Sequence, residues 1–239
     1  LWESGRFAQV FDVEHLVFED TAGNSLPCNG KLDLVAWPGS LTFNVSLAPD
    51  FTYEEGPIKG AVGNAWCLAG KPIDIPHAPA LEPDHLTLEC WFKMPAQMNP
   101  KASGWLICKN GNEWEAGNYG LTYQRGNVAA VMNNRGGAHK QSTAGQNVAL
   151  VPDRWYHVAM TFDGSALRLF VDGRERGMTK LGMPRAKGTG LLRIGQRGDG
   201  LFGIANGLYD EVRVWSRALP AAELAAHAEQ PAILPSREG

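Results

Sequence analysis

Arg154-Trp-Tyr-His-Val-Ala-Met-Thr-Phe-Asp-Gly164, followed two residues later by Leu167-Arg-Leu-Phe-Val-Asp-Gly173, is the stretch that decides the fold. Both runs alternate apolar and polar residues, the period-2 pattern of a strand with one buried face. Each closes on Asp-Gly, whose residues accept the positive φ that a tight hairpin turn requires. Working outward, Leu86-Thr-Leu-Glu-Cys-Trp-Phe-Lys93, Leu121-Thr-Tyr-Gln124, Leu192-Arg-Ile194 and Leu208-Tyr-Asp-Glu-Val-Arg-Val-Trp215 repeat the pattern. One helix is predicted, Pro220-Ala-Ala-Glu-Leu-Ala-Ala-His-Ala-Glu229, rich in Ala and Glu with Pro in its first turn. Many short strands between turn signals imply an all-β sandwich or barrel.

Composition removes several function classes. The 239 residues carry 22 Lys and Arg against 25 Asp and Glu, a net charge of −3. That mildly acidic balance, without a basic cluster, argues against nucleic-acid binding, which needs cations to neutralise phosphates. No apolar run approaches the roughly 20 residues of a membrane helix, so no membrane insertion is expected. The 28 Gly and 15 Pro mark a loop-rich chain short of the disordered range.

The chain begins at Leu1 without a basic-then-apolar leader, which reads as a processed protein or a piece of a longer one. Cys28, Cys67, Cys90 and Cys108 show no C-x-x-C spacing, against zinc clusters and thioredoxin-type chemistry. Two disulfides are conceivable in an oxidising compartment, but Cys67, Cys90 and Cys108 sit in apolar runs that suit buried thiols. In residues 1–57, Leu41-Thr-Phe-Asn-Val-Ser-Leu47 and His15-Leu-Val-Phe18 read as strands. Residues 230–239 read as a frayed tail or the start of a linker.

Further motifs join the hairpin: Gly63-Asn-Ala-Trp-Cys-Leu-Ala-Gly70, Ile73-Asp-Ile-Pro76, Ile194-Gly195 and Asp210-Glu-Val-Arg-Val-Trp-Ser-Arg-Ala-Leu219. As a set, over about residues 58–228, the chain resembles the laminin-G-like, concanavalin A-like jelly-roll family. The resemblance implies a two-sheet antiparallel sandwich with ligands on loops or on the concave face. Many members bind glycans, others bind proteins, and many are accessory domains of secreted bacterial enzymes. It also implies a structural calcium: Asp210 occupies the matching place on the final strand, with Asp20 in the early Asp20-Thr-Ala-Gly-Asn24 turn as the second acid. The alternative is that Asp210 pairs with Arg213 or caps a turn.

Jelly rolls also host glycosidases, which need two carboxylates about the scissile bond. The E-x-D-x-x-E pattern of laminarinase-type enzymes is absent, as are alginate-lyase patterns, Gly-x-Ser-x-Gly and His-Glu-x-x-His. Glu113-Trp-Glu115 is the nearest substitute, but the Gly and Asn around it read as a loop with solvated acids. Sugar binding needs flat apolar rings beside planar hydrogen-bonding groups. Trp114, Asn118, Tyr119 and Tyr123 on one loop-and-strand segment, with Asn133, Asn134, Arg135 and His139 on a neighbouring loop, supply both; for Tyr123 a core position is the preferred reading. The competing reading makes the Tyr residues core and the Asn residues turn builders.

Trp91, Trp155 and Trp215 read as core, and His157 as a hydrogen-bonded strand residue with no acid evident beside it. Arg197-Gly-Asp199 reads as a Gly-rich turn, and the Asn44-Val-Ser46 sequon as incidental. The expectation is therefore a single domain over 1–239, its core at 58–228 and residues 1–57 adding strands to the same sandwich. It is secreted or periplasmic and acts as a non-catalytic module for a glycan or polysaccharide, in company with other domains of a parent protein. An atypical glycan-active enzyme and a protein-interaction or spacer domain are the alternatives.

Overall fold

The structure, a computed structural model, describes residues 64–229 except 69, 95, 97–98, 100–101, 138–140 and 205, with five short strands nearer the N terminus. Those five are β1 (Trp2–Glu3), β2 (Arg6–Phe7), β3 (Phe18–Glu19), β4 (Ser25–Leu26) and β5 (Thr52–Glu55). They precede β6 (Asn64–Cys67), β7 (Ile73–Ile75), β8 (Leu86–Lys93), β9 (Ser103–Lys109), β10 (Tyr119–Gln124) and β11 (Asn127–Met132). Then come β12 (Ser142–Ala149), β13 (Trp155–Phe162), β14 (Ala166–Val171), β15 (Arg174–Lys180), β16 (Leu192–Ile194), β17 (Leu208–Trp215) and the helix α1 (Ala221–Glu229).

Two antiparallel sheets form the sandwich. The larger runs β1-β2-β17-β8-β13-β14-β15, with β5 and β6 attached through β17. The smaller runs β12-β11-β10-β9-β16-β7, while β3 and β4 pair only with each other. Alternation sets which face is buried. Leu88, Cys90 and Phe92 of β8, with Val158, Met160 and Phe162 of β13, meet Tyr119, Leu121 and Tyr123 of β10 in one core. Where the sheet edges β12 and β15 come together, Gly145 and Gly177 allow the backbones to touch: a Cβ on Gly177 would lie 2.4 Å from the Gly145 nitrogen.

The outer face of the larger sheet carries the second half of each alternating strand. A bulge at Glu211, with φ of 50°, shifts the register between Asp210 and Arg213. Helix α1 covers part of this face, packing Leu224 with Ala159, Phe170 and Trp215. Beneath it lies a fully buried carboxylate, Glu89. Trp215 Nε1 donates to its Oε1 at 2.6 Å, His157 Nε2 lies 3.0 Å from Oε2, and His227 Nδ1 of the helix is 3.1 Å from both oxygens. Arg213 Nη1 stands 3.7 Å away. Burial pushes the Glu89 carboxyl up, but hydrogen bonds to His157 and His227 and the charges of His157 and Arg213 outweigh it, leaving it below the ordinary carboxylate range.

Strands β8, β13, β16 and β17 match the alternating runs in the sequence, and helix α1 matches the predicted segment within one residue. Trp91 and Trp215 are buried, and Trp155 is half-buried beneath Lys93. His157 requires a correction: Glu89, distant in sequence, is the acid beside it, because β8 and β13 pair across the sheet. Cys90 and Cys108 are free buried thiols; the side chains of Cys28 and Cys67 lie outside the described residues, as do Asn44 and the run 41–47.

Replacing Glu89 by Gln removes the carboxylate shared by His157 and His227 and leaves Arg213 with Glu211 as its counter-charge, and should cost about 3 kcal/mol in urea denaturation at pH 7. Because the folded carboxyl titrates below its ordinary value, its stabilisation is present above about pH 4.5 and lost as pH falls through the folded value. Wild-type stability should therefore fall more steeply than that of Glu89→Gln between pH 5 and 3; parallel curves would contradict the assignment.

Candidate functional site

At one end of the smaller sheet, three loops converge on a buried polar base. The chain leaves β9 through Lys109 and Asn110, and Asn110 sits at φ of 63°, a left-handed conformation that Asn tolerates better than most residues. Glu82, just after the short 3-10 turn Pro79–Leu81, is the hub. Its Oε1 lies 2.8 Å from Lys109 Nζ and accepts from Asn110 Nδ2 at 2.8 Å, while its Oε2 pairs with Arg185. Lys109 Nζ donates in turn to Asn110 Oδ1 at 2.7 Å and Gly190 O at 2.5 Å. Arg185 donates to Pro83 O and Gly117 O and lies over the Tyr119 ring at 5.0 Å.

Each charge in this base faces one of opposite sign, one carboxylate being shared by two cations, which limits the cost of burial. Burial alone would raise Glu82, but Lys109, Arg185 and Asn110 hold it below the ordinary carboxylate range. For Lys109 burial wins and lowers the ammonium, with Glu82 opposing.

On that base the loops 110–118 and 133–137 are stitched together. Gly117 N donates to Asn133 O at 2.7 Å, Asn133 N to Asn118 O at 2.9 Å, and Gly137 N to Trp114 O at 2.6 Å. Asn133 Nδ2 donates to Glu113 O at 2.8 Å, and its Oδ1 accepts from the amides of Arg135 and Gly136. Asn118 Nδ2 donates to Lys109 O at 2.8 Å. Tyr119 is buried, its hydroxyl donating to Leu81 O at 2.7 Å, and Tyr123 lies in the core.

The structure thus brings six of the predicted ligand residues together but divides their tasks. Asn118, Tyr119 and Asn133 are buried and build the loops. Trp114 is 47% exposed, Arg135 is exposed, and Asn134 is half-buried with its Oδ1 accepting from Ala186 N at 3.3 Å. His139 lies outside the described residues.

A third loop, 195–204, forms a finger against the other two. Arg197 N donates to Leu201 O, Gly200 N to Arg197 O, and Ile204 N to Gly195 O, so its backbone is internally bonded. The Arg197 side chain is buried. It donates to both Glu113 oxygens at 3.0 Å and to Asp199 Oδ1 at 2.9 Å, and lies 4.5 Å from the Phe202 ring centre. A Cβ on Gly198 would sit 2.6 Å from Gly111 O, so the finger rests on the 110–118 loop because residue 198 is glycine. The Arg197-Gly-Asp199 motif is therefore turned on itself, and Leu201 and Phe202 stand exposed at the tip. Beside the finger, Arg193 grips Asp74 through Nε and Nη2.

Sequence reading passed over the finger. Its signal was an apolar pair enclosed by glycines, Gly200-Leu-Phe-Gly203, where turn chemistry alone needs no large hydrophobe. Cys108, under the same loops, is buried and its thiol pushed up to about 12, so it is no nucleophile.

Asp210, the expected calcium ligand, lies on the opposite sheet. Burial raises its carboxyl to about 6, Arg213 opposing, and its Oδ1 accepts from Glu211 N at 2.8 Å. Calcium takes six to eight oxygens. Among the described residues no group of three His, Cys, Asp or Glu would hold a metal, and Asp20 lies outside them.

Comparison with known proteins follows the geometry. Residues 69–225 match the family described as the concanavalin A-like lectin/glucanases superfamily. Among solved structures, the binding domain of Paraclostridial Mosquitocidal Protein 1 superposes with a TM-score of 0.57 at 13% identity, over 75% of this chain and 45% of that one. This chain thus spans less than half of that relative. Domain 4 of AbnA, a GH43 extracellular arabinanase from Geobacillus stearothermophilus, solved with arabinotriose, gives 0.56 at 20% identity over 76% and 82%. The receptor binding domain of botulinum neurotoxin mosaic serotype C/D gives 0.55 at 10% over 91% and 50%. These likenesses show the fold. No curated protein matches the chain. No helix among the described residues is long and apolar enough to cross a membrane.

Arg185→Leu should strip Glu82 Oε2 of its guanidinium partner and Gly117 O of one donor, costing about 3 kcal/mol. Amide hydrogen exchange in residues 110–118 should accelerate more than in β13; uniform protection would show that the base does not hold the loops.

Proposed function

The chain belongs to the concanavalin A-like lectin/glucanases superfamily, and on that premise we propose that it is a non-catalytic glycan-binding module of a secreted protein. One observation carries the reading: Trp114, nearly half exposed, is offered on a loop whose backbone is hydrogen-bonded to its neighbours. An exposed indole on rigid backbone is a flat apolar platform that loses little entropy on binding. Arg135, exposed on the loop bonded to it, is a planar donor for sugar hydroxyls. Domain 4 of the arabinanase, solved with arabinotriose, offers a precedent on the same fold.

The non-catalytic part rests on Glu113. Both its oxygens accept from Arg197. A general acid must present a carboxyl oxygen to the leaving group, and both oxygens of Glu113 are already engaged by the Arg197 guanidinium.

A glycan array followed by calorimetry tests the reading. Binding to at least one polysaccharide is expected, with Trp114→Ala weakening it about tenfold and Arg135→Ala less, the melting temperature staying within a few degrees. Absence of binding across the array would sink the module, and release of shortened products would make the chain an enzyme.

A further inference from the structure

The finger holds a feature that its own folding does not require. Among the described non-glycine residues with positive φ, Asn110, Arg125, Asp153, Asp172 and Glu211 are polar or charged; Phe202, at 48°, is the one bulky hydrophobe. Left-handed backbone is a true outlier for such a residue, whereas glycine adopts it freely. The ring gains only one-sided packing in return, on the Arg197 guanidinium: Phe202 is 55% exposed and Leu201 beside it 56%. Nor does the finger need it: the bonds that shape the loop use backbone groups and the side chains of Gln196, Arg197 and Asp199. Backbone strain held at an exposed aromatic is the pattern of a ligand contact.

The surroundings define what it contacts. Arg197 lies against the Phe202 ring and grips Glu113, the residue before Trp114, so the two exposed rings stand on one ion-paired frame. The charges of that frame are spent on each other: Arg193 on Asp74, Arg197 on Asp199 and Glu113. Arg135 and Glu115, the exposed charges of the adjoining loops, are of opposite sign. In the loops 110–118, 133–137 and 195–204 the cations are Arg135 and the buried Arg197, too few to hold a run of carboxylates or sulfates.

We propose that the Leu201–Phe202 tip is a second apolar subsite joined to Trp114, and that the glycan crossing both is an uncharged one. This rests on the glycan-binding reading above. Phe202 offers the ring face not taken by Arg197 to the C–H face of a sugar, and the frame, in which two arginines face three carboxylates, offers hydrogen bonds with no surplus of positive charge.

The test uses calorimetry with uncharged oligosaccharides (arabinan, xylan and glucan) and uronic-acid ones (polygalacturonate and alginate) on the full chain. Phe202→Gly should weaken binding of an uncharged oligosaccharide about tenfold, while the melting temperature stays level or rises because glycine fits the backbone. Phe202→Tyr should bind as wild type. If Phe202→Gly binds normally while Trp114→Ala does not, the second subsite is wrong and the glycan reading stands. If Phe202→Gly melts many degrees lower, the ring is structural and the subsite is equally wrong. A preference for uronic-acid chains overturns the uncharged class. Failure to bind either set overturns the glycan reading and this inference with it.

Discussion

The buried pairing of Glu82 with Lys109 and Arg185 is the constraint on which the loop end depends. Three charges removed from water are costly unless each is matched, so the segments bearing them must arrive in one arrangement. Those segments are the turn after Pro79–Leu81, the end of β9 and the chain near Arg185. Asn110 then bridges Glu82, Lys109 and Gly117, which fixes where the 110–118 loop starts and ends. Trp114 stands at its crest, and the finger leans on it through Arg197 and Gly198. Ionic order inside thus becomes a defined shape outside.

The two sheets spend their outer faces differently. On the larger sheet a helix covers Trp215 and Phe170 while Glu89 gathers donors from β13, β17 and α1, giving a buried face closed by polar bonds. At the end of the smaller sheet the loop backbones are hydrogen-bonded to one another, yet large apolar side chains remain outside. Satisfied backbone beneath exposed rings suits recognition, because little order has to be created when a partner arrives. The same fold can serve either purpose, and the loops decide.

Much of the sandwich is legible because β8, β13 and β17 largely alternate apolar with polar residues in the sequence, even though the helix and loops bury the outer face as well. Strands β9 and β11 lack that rhythm, since apolar residues fill both of their faces and runs such as Asn127-Val-Ala-Ala-Val-Met132 carry no alternation. Strand β15, Arg174-Glu-Arg-Gly-Met-Thr-Lys180, reads as solvated because it is a charged sheet edge. At the site, the meeting of the 110–118 and 133–137 loops was readable, but which residues face outward was not. Asn133 and Trp114 both suit a sugar by chemistry, and only the fold shows Asn133 buried and bonding backbone while Trp114 is 47% exposed. Pairings across long separations, Glu82 with Arg185 or Glu89 with His227, have no local signature at all.

Central to this view is that the ordered loop end, not the helix-covered face, is where a partner binds. Backbone amide chemical shifts followed during titration with a bound oligosaccharide measure that directly. Perturbations should concentrate in residues 111–117, 133–137 and 196–203 and leave β13, β14 and α1 unmoved. Shifts centred on α1 and the outer face of the larger sheet, with those three loops silent, would contradict it.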